Sequence, residues 1–175
     1  MDQLFLSVFS RRRGFTLTEL MAVVIIVAIL AAVGAGSYKQ AIERSRFSDG
    51  LVAANTVLGA VERYYDDSCG EGHCISRPKI KYLDISLANQ KNCTANTDFC
   101  TKTKYFEITV YDGYVEAKRM KGTAQGDYSI LVYPESFGEN GRTDTQCHYN
   151  SDLGQDLCVS VGYATCSDSS KSCTK

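Results

Sequence analysis

"RRRGFTLTELMAVVIIVAILAAVGAG", residues 11–36, decides the fold of this chain. Three arginines precede an apolar run that holds no charged residue from Leu20 to Ala35, and one glutamate, Glu19, stands just inside it. Counted from Phe15 the run is about 20 residues, which at about 1.5 Å per residue spans a bilayer core of about 30 Å. Arg11, Arg12 and Arg13 are expected to stay cytoplasmic by the positive-inside bias, which sends the rest of the chain across the membrane. An ordinary secretory signal has a shorter apolar core followed by a small-residue cleavage site, and that layout does not fit here. A single-span anchor does fit, but it leaves Glu19 unexplained. A carboxylate in hydrocarbon is expensive unless it is paired, and its alternative is to reach back to the interface from near the helix end.

The helical pattern outlasts the apolar run. Phe47, Leu51, Ala54, Leu58, Val61 and Tyr65 recur at spacings of three and four, the stripe of an amphipathic helix. Glu43, Arg44, Arg46, Asp49, Glu62 and Arg63 lie between them and read as its solvated face. The expectation is one helix from about residue 16 to about residue 66, roughly 75 Å long. The stripe is too short, at under three heptads, to favour a coiled-coil seam.

Beyond "YYDDSCGEGHC", residues 64–74, the period is lost, and a loop region is expected to about Thr103. "KYFEITVYDGYVEAKRM", residues 104–120, is a hairpin with its turn at Asp112-Gly113. Pairing across that turn sets Val110 opposite Val115, Ile108 opposite Ala117, and Glu107 opposite Lys118. Residues 127–133 read as a third strand, stopped by Pro134, and residues 157–164 as a fourth. The fold class is therefore α+β: one long N-terminal helix packed on an antiparallel sheet of about four strands.

A sheet on one helix buries a modest core and needs covalent support. All eight cysteines lie between Cys69 and Cys173, a distribution expected of disulfides in an oxidising compartment. Their clustering favours local pairs: Cys69 with Cys74, Cys93 with Cys100, Cys147 with Cys158, and Cys166 with Cys173. Crossed pairing among the last four is the rival. His73 beside Cys74 and His148 beside Cys147 raise zinc, but the Cys69–Cys74 spacing is not that of a zinc knuckle and no CxxC occurs. Residues 150–156, "NSDLGQD", carry oxygen ligands suited to calcium but lack the spacing of an EF-hand. Asn92-Cys93-Thr94 matches a glycosylation sequon, weakened by the cysteine at its centre. The net charge is −1 and no basic stripe points to nucleic acid. No nucleophile motif, phosphate loop or catalytic dyad occurs, so neither an enzyme nor a cofactor is expected, with calcium the one cofactor left open.

Residues 11–38, with the arginines, Gly14-Phe15, Glu19, the unbroken apolar helix and Tyr38, resemble the N-terminus of type IV prepilins and the related pseudopilins. The resemblance implies that a membrane aspartic protease, the prepilin peptidase, cuts after Gly14, and that Phe15 becomes a methylated N-terminus. Glu19 then falls on the fifth mature position, where the family has its glutamate, and its partner is the new amine on Phe15 of a neighbouring subunit. The domains implied are a leader at 1–14, a transmembrane and assembly half-helix at 15–36, an amphipathic half-helix at 37–66, and a disulfide-stapled head at 67–175. The family's plan of one helix on an antiparallel sheet agrees with the reading from periodicity. Partners implied are membrane lipid before assembly, the peptidase, the inner-membrane assembly platform, and further copies in a helical filament. The expected location is the bacterial inner membrane, with the head in the periplasm, and then the extracellular pilus or a periplasmic pseudopilus. The expected function is a pilus subunit serving adhesion, twitching motility or DNA uptake. The alternatives are a type II secretion pseudopilin, a minor pilin, and an anchored binding domain that never polymerises. Two features depart from the family pattern. The leader is long and partly apolar, and no proline stands near Gly34 and Gly36, where many pilins have one.

Overall fold

A computed structural model describes residues 14–69, 77–94, 98–120, 128–134 and 145–175. The chain divides into two compact units, residues 1–38 and 39–175. The helix α1, Leu17–Cys69, contributes to both.

In the first unit every described residue is exposed, including Phe15, Leu20, Val24, Ile26 and Leu30. Soluble surfaces do not leave such an area of aliphatic side chain in contact with water. The helix is long and apolar enough to cross a membrane.

In the second unit α1 lays its stripe on a sheet. Phe47, Ala54, Val57, Leu58 and Val61 are buried, with Leu51 and Tyr65 packed at the margin. The described residues form an eight-stranded antiparallel sheet: β1 (Lys91–Asn92), β2 (Cys100–Lys102), β3 (Phe106–Tyr111), β4 (Tyr114–Arg119), β5 (Tyr128–Val132), β6 (Thr145–Tyr149), β7 (Thr165–Ser167) and β8 (Ser172–Thr174). The order is β1-β2-β3-β4-β5-β6-β8-β7, a meander whose last two strands are exchanged. Alternation sets the buried face: Phe106, Ile108 and Val110 on β3, Val115 and Ala117 on β4, Ile130 and Val132 on β5. The β3–β4 register is the expected one, with Val110 opposite Val115, Ile108 opposite Ala117, and Glu107 opposite Lys118. Gly113, at φ +92°, supplies the left-handed residue of that turn.

The sheet has eight strands rather than about four, because β1, β2, β7 and β8 are two or three residues long and carry no readable alternation. Two of them, with a 3₁₀ turn at Ile80–Tyr82, occupy the region expected to be loop. The expected strand at 157–164 is instead the end of a second helix, α2 (Asp152–Ser160). Ser151 caps α2 by accepting a hydrogen bond on Oγ from the Gly154 amide at 3.2 Å, and Asp152 lies in the first turn. Gly154, Leu157 and Cys158 form its buried face, a helical spacing, while Val159 is 48% exposed. The apparent alternation of Leu157, Val159 and Val161 is broken by Val159, which faces solvent while Leu157 is buried and Val161 packs at the margin of the core.

Gly50 marks the tightest approach of α1 to the sheet. A Cβ at this position would lie 2.6 Å from the ring of Phe106, which is itself 1% exposed. Replacing Gly50 by alanine is expected to destabilise the head by about 1–3 kcal/mol through overpacking, despite alanine's better helix propensity. Urea melts of the two proteins would check the sign, and an unchanged midpoint would mean that the ring moves aside freely.

Candidate functional site

The N-terminal end of α1 is the first candidate site. Gly14, Phe15 and Thr16 precede the helix in non-helical, exposed backbone, and Phe15 is 79% exposed. A peptide bond there is open to a protease, whereas one inside a helix is held by its hydrogen bonds. Thr16 caps the helix in a reciprocal arrangement. The Glu19 amide donates to Thr16 Oγ1 at 3.3 Å, while Glu19 Oε2 accepts from the Thr16 amide at 2.9 Å and from its hydroxyl at 2.8 Å. This is the S/T-x-x-E capping box. Glu19 therefore has a local partner besides the amine expected for it, and the spacing Thr16-x-x-Glu19 encodes that partner. With Gly14 attached, the Phe15 nitrogen is a neutral amide and the carboxylate is satisfied within its own helix end.

The second cluster lies beneath the sheet in unit 39–175. Glu43 was expected on the solvated face of α1 but is 2% exposed. It is buried because β4 delivers Arg119, 7% exposed, directly opposite it. Arg119 Nε donates to Glu43 Oε2 at 3.2 Å and Nη2 to Oε1 at 3.1 Å, a two-pronged pair. Its third nitrogen, Nη1, donates to the carbonyls of Tyr105 and Met120 at 3.1 and 2.9 Å. Arg46, one turn along α1, also donates to Glu43 Oε1. Burial alone would raise the Glu43 pKa, but the bonds and charges of Arg119 and then Arg46 outweigh it and hold the carboxyl below its usual value. No periodicity rule finds this pair, because its members are 76 residues apart.

The cysteines build the rest of the frame. Cys93 is bonded to Cys100, Cys147 to Cys158, and Cys166 to Cys173. The second bond ties α2 to β6, and the third joins directly opposed residues of β7 and β8. The Cys69–Cys74 pairing and His73 fall outside the described side chains. Cys93 and Cys100 lie close to Glu107, but as a disulfide they offer no thiolate to a metal. Cys147 beside His148 is likewise bonded, and burial lowers the His148 pKa. The candidate calcium stretch 150–156 forms the cap and first turns of α2. Asn92 of the sequon is exposed at the end of β1.

Comparison with known proteins adds the family. Residues 9–35 match the prokaryotic N-terminal methylation motif. The type IV major pilin protein PilE of Neisseria gonorrhoeae is 43% identical over 150 residues, covering 77% of this chain and 90% of that protein. Fimbrial protein EcpC of Eikenella corrodens is 43% identical over 56 residues, 32% of this chain and 37% of that protein. A fimbrial protein of Neisseria meningitidis serogroup B is 43% identical over 54 residues, 31% of this chain and 32% of its own length. No solved structure matches the chain. A methylation motif at the start of an exposed apolar helix, a disulfide-stapled antiparallel head, and similarity across nine-tenths of a major pilin agree with one another: the chain belongs to the type IV pilin family.

Proposed function

We propose that this chain is the structural subunit of a type IV pilus, cut after Gly14, methylated on Phe15, and polymerised through α1. The observation that carries the proposal is the apolar surface of residues 15–38, which no residue of its own chain covers among those described. That surface requires lipid before assembly and helices of other copies afterwards. Exchange of one for the other drives polymerisation without a nucleotide or metal on the subunit, so its role is structural rather than enzymatic. The head crosses to the periplasmic side, where cysteines oxidise, and the partners are the prepilin peptidase, the membrane assembly platform and further copies. Cleavage converts the Phe15 nitrogen from a neutral amide to a cation. Glu19, held until then by Thr16, gains a stronger partner on a neighbouring copy, and a buried ion pair penalises every register but one. The relatives are named as pilins and fimbrial proteins, which favours a surface pilus over a secretion pseudopilus.

Intact mass spectrometry without reduction, on material sheared from cells and on the membrane pellet, tests the proposal. The sheared fraction is expected to hold a chain that starts at methylated Phe15 and is lighter by one hydrogen for each of the eight cysteines. A processed chain confined to the pellet would support the pseudopilus instead. A chain retaining residues 1–14 in filaments would overturn the assignment of Gly14 and Phe15.

A further inference from the structure

Cations collect around one phenol at one end of the head. The ring of Tyr105 has the Arg46 guanidinium 4.6 Å from its centroid, the Lys104 ammonium at 4.9 Å, and the Arg119 guanidinium at 5.5 Å. Hydrogen bonding to Lys104, reinforced by its charge and that of Arg46, lowers the Tyr105 phenol below its usual value. The carboxylates on this side are largely engaged. Glu43 lies between Arg119 and Arg46, which leaves one net positive charge on the three, and Glu107 is paired with Lys102 at 3.2 Å. Lys104 is exposed, as are Lys39, Arg44 and Asp49 on the stretch of α1 that carries Arg46. The result is a cationic socket floored by an aromatic ring.

The other end has the opposite sign. Asp66 and Asp67 are exposed in the last turns of α1, and Asp112 is exposed at the tip of the β3–β4 hairpin. These two elements meet: burial, and then the charge of Asp112, raise the Tyr65 phenol. Of the nearby cations, Arg63 is neutralised by Asp84 through two nitrogens, while Arg77, on the Val110 carbonyl and the ring of Phe99, keeps its charge, so the three aspartates outnumber it. Tyrosines frame this end as well. Tyr111 stacks on Tyr114 at 4.8 Å, and Tyr114 meets Tyr133 at 5.5 Å. Arg46 and Asp66 are separated by 20 residues of one helix, about 30 Å.

Copies in a filament run parallel, so a surface with a positive end and a negative end is not met there by an antiparallel copy across a two-fold axis. It is instead complementary to a copy displaced along its own direction, the heterologous contact that builds open helical filaments. We propose that the socket formed by Arg46, Lys104 and Tyr105 receives the carboxylates of Asp66, Asp67 and Asp112 from a second copy of this chain. The proposal rests on the filament reading above and adds a head-to-head contact to the one made by the apolar helix. It assigns to Tyr105 the role of holding two cationic side chains in place, and to the exposed aspartates the role of an electrostatic key.

Charge exchange in the full-length chain tests it, with filaments quantified after shearing and the processed subunit quantified in the membrane. Lys104→Glu and Asp112→Lys are each expected to lower the filament yield about tenfold, since like charges face one another in each variant. Combining Lys104→Glu with Asp112→Lys, or with Asp66→Lys, is expected to restore the yield, because the pair is re-formed with its signs reversed. Lys104, Asp66 and Asp112 are all exposed, so the thermal midpoint in detergent should match the parent for all four variants. Single variants at parental yield, or combined variants no better than the worse single one, overturn the proposal. If the parent protein is processed but makes no filaments, the filament reading itself fails, a result distinct from absent rescue.

Discussion

Arg119→Ala is expected to destabilise the head by about 3–5 kcal/mol, the cost of leaving a buried carboxylate without its main partner. Three consequences converge in this one substitution. Glu43 keeps Arg46 alone, the carbonyls of Tyr105 and Met120 lose a shared donor, and the aliphatic stem of a 7%-exposed side chain leaves a void between α1 and β4. The paired replacement Glu43→Leu with Arg119→Met is expected to recover most of the loss, because the charge and its counter-charge leave together. Urea unfolding of the full chain at neutral pH measures both. A single variant within 1 kcal/mol of the parent, roughly the range of an exposed ion pair, would mean that the pair is solvated in solution. The parent also carries a pH signature. The Glu43 carboxyl is held below its usual value in the folded head, so its contribution is fully present above the unfolded carboxyl value of about 4.3 and is lost as pH falls through the folded one. The Arg119→Ala protein should lose less stability on acidification than the parent, because that contribution has already gone.

Glu19→Gln should separate the two roles open to this side chain. Glutamine still fits the capping box with Thr16 but cannot balance a cationic Phe15 amine. Processing at Gly14 is therefore expected to proceed at the parental level while sheared filaments fall below detection. Each subunit would bury an uncompensated amine, at about 3–5 kcal/mol, and the cost recurs at every step of the polymer. Glu19→Ala should match it in filament yield and should also loosen the helix start, by about 1 kcal/mol for the lost cap. Filaments at parental level from Glu19→Gln would show that the cap suffices and that the charge does not set the register.

How much of this was legible in the sequence depends on the range of each interaction. Short-range patterns read well. The apolar run, the three-and-four stripe and the Asp112-Gly113 hairpin all rest on neighbours in the chain, and the structure reproduces the hairpin register residue for residue. The local rule failed where two periods coincide. Residues 157–161 alternate in character, yet the Ser151 cap and the Cys158 bond to β6 make 157–160 the end of a helix and Val161 its C-cap. It also failed where strands are too short to alternate, as in β7 and β8. Long-range electrostatics left no trace at all. A glutamate flanked by arginines on an amphipathic helix looks solvated, and only the distant Arg119 turns it inward. Thr16 is a different case, since its spacing to Glu19 is a local signal that the sequence carries in full.

The strand order has a kinetic meaning. From β1 to β6 each strand pairs with the one before it, and the three cysteine pairs bonded among the described residues are separated by only 7, 11 and 7 residues. Such contacts can form while later segments are still emerging from the membrane, because closing a short loop takes little entropy and a low contact order speeds folding. Each sulfur then meets its correct partner before a wrong one is within reach. The exchanged pair at the far edge is the exception: among the described residues β7 pairs with β8 alone, and must wait for it. Oxidative maturation of this head should thus run from its first strand to its last, with the Cys166–Cys173 bond closing after the other two.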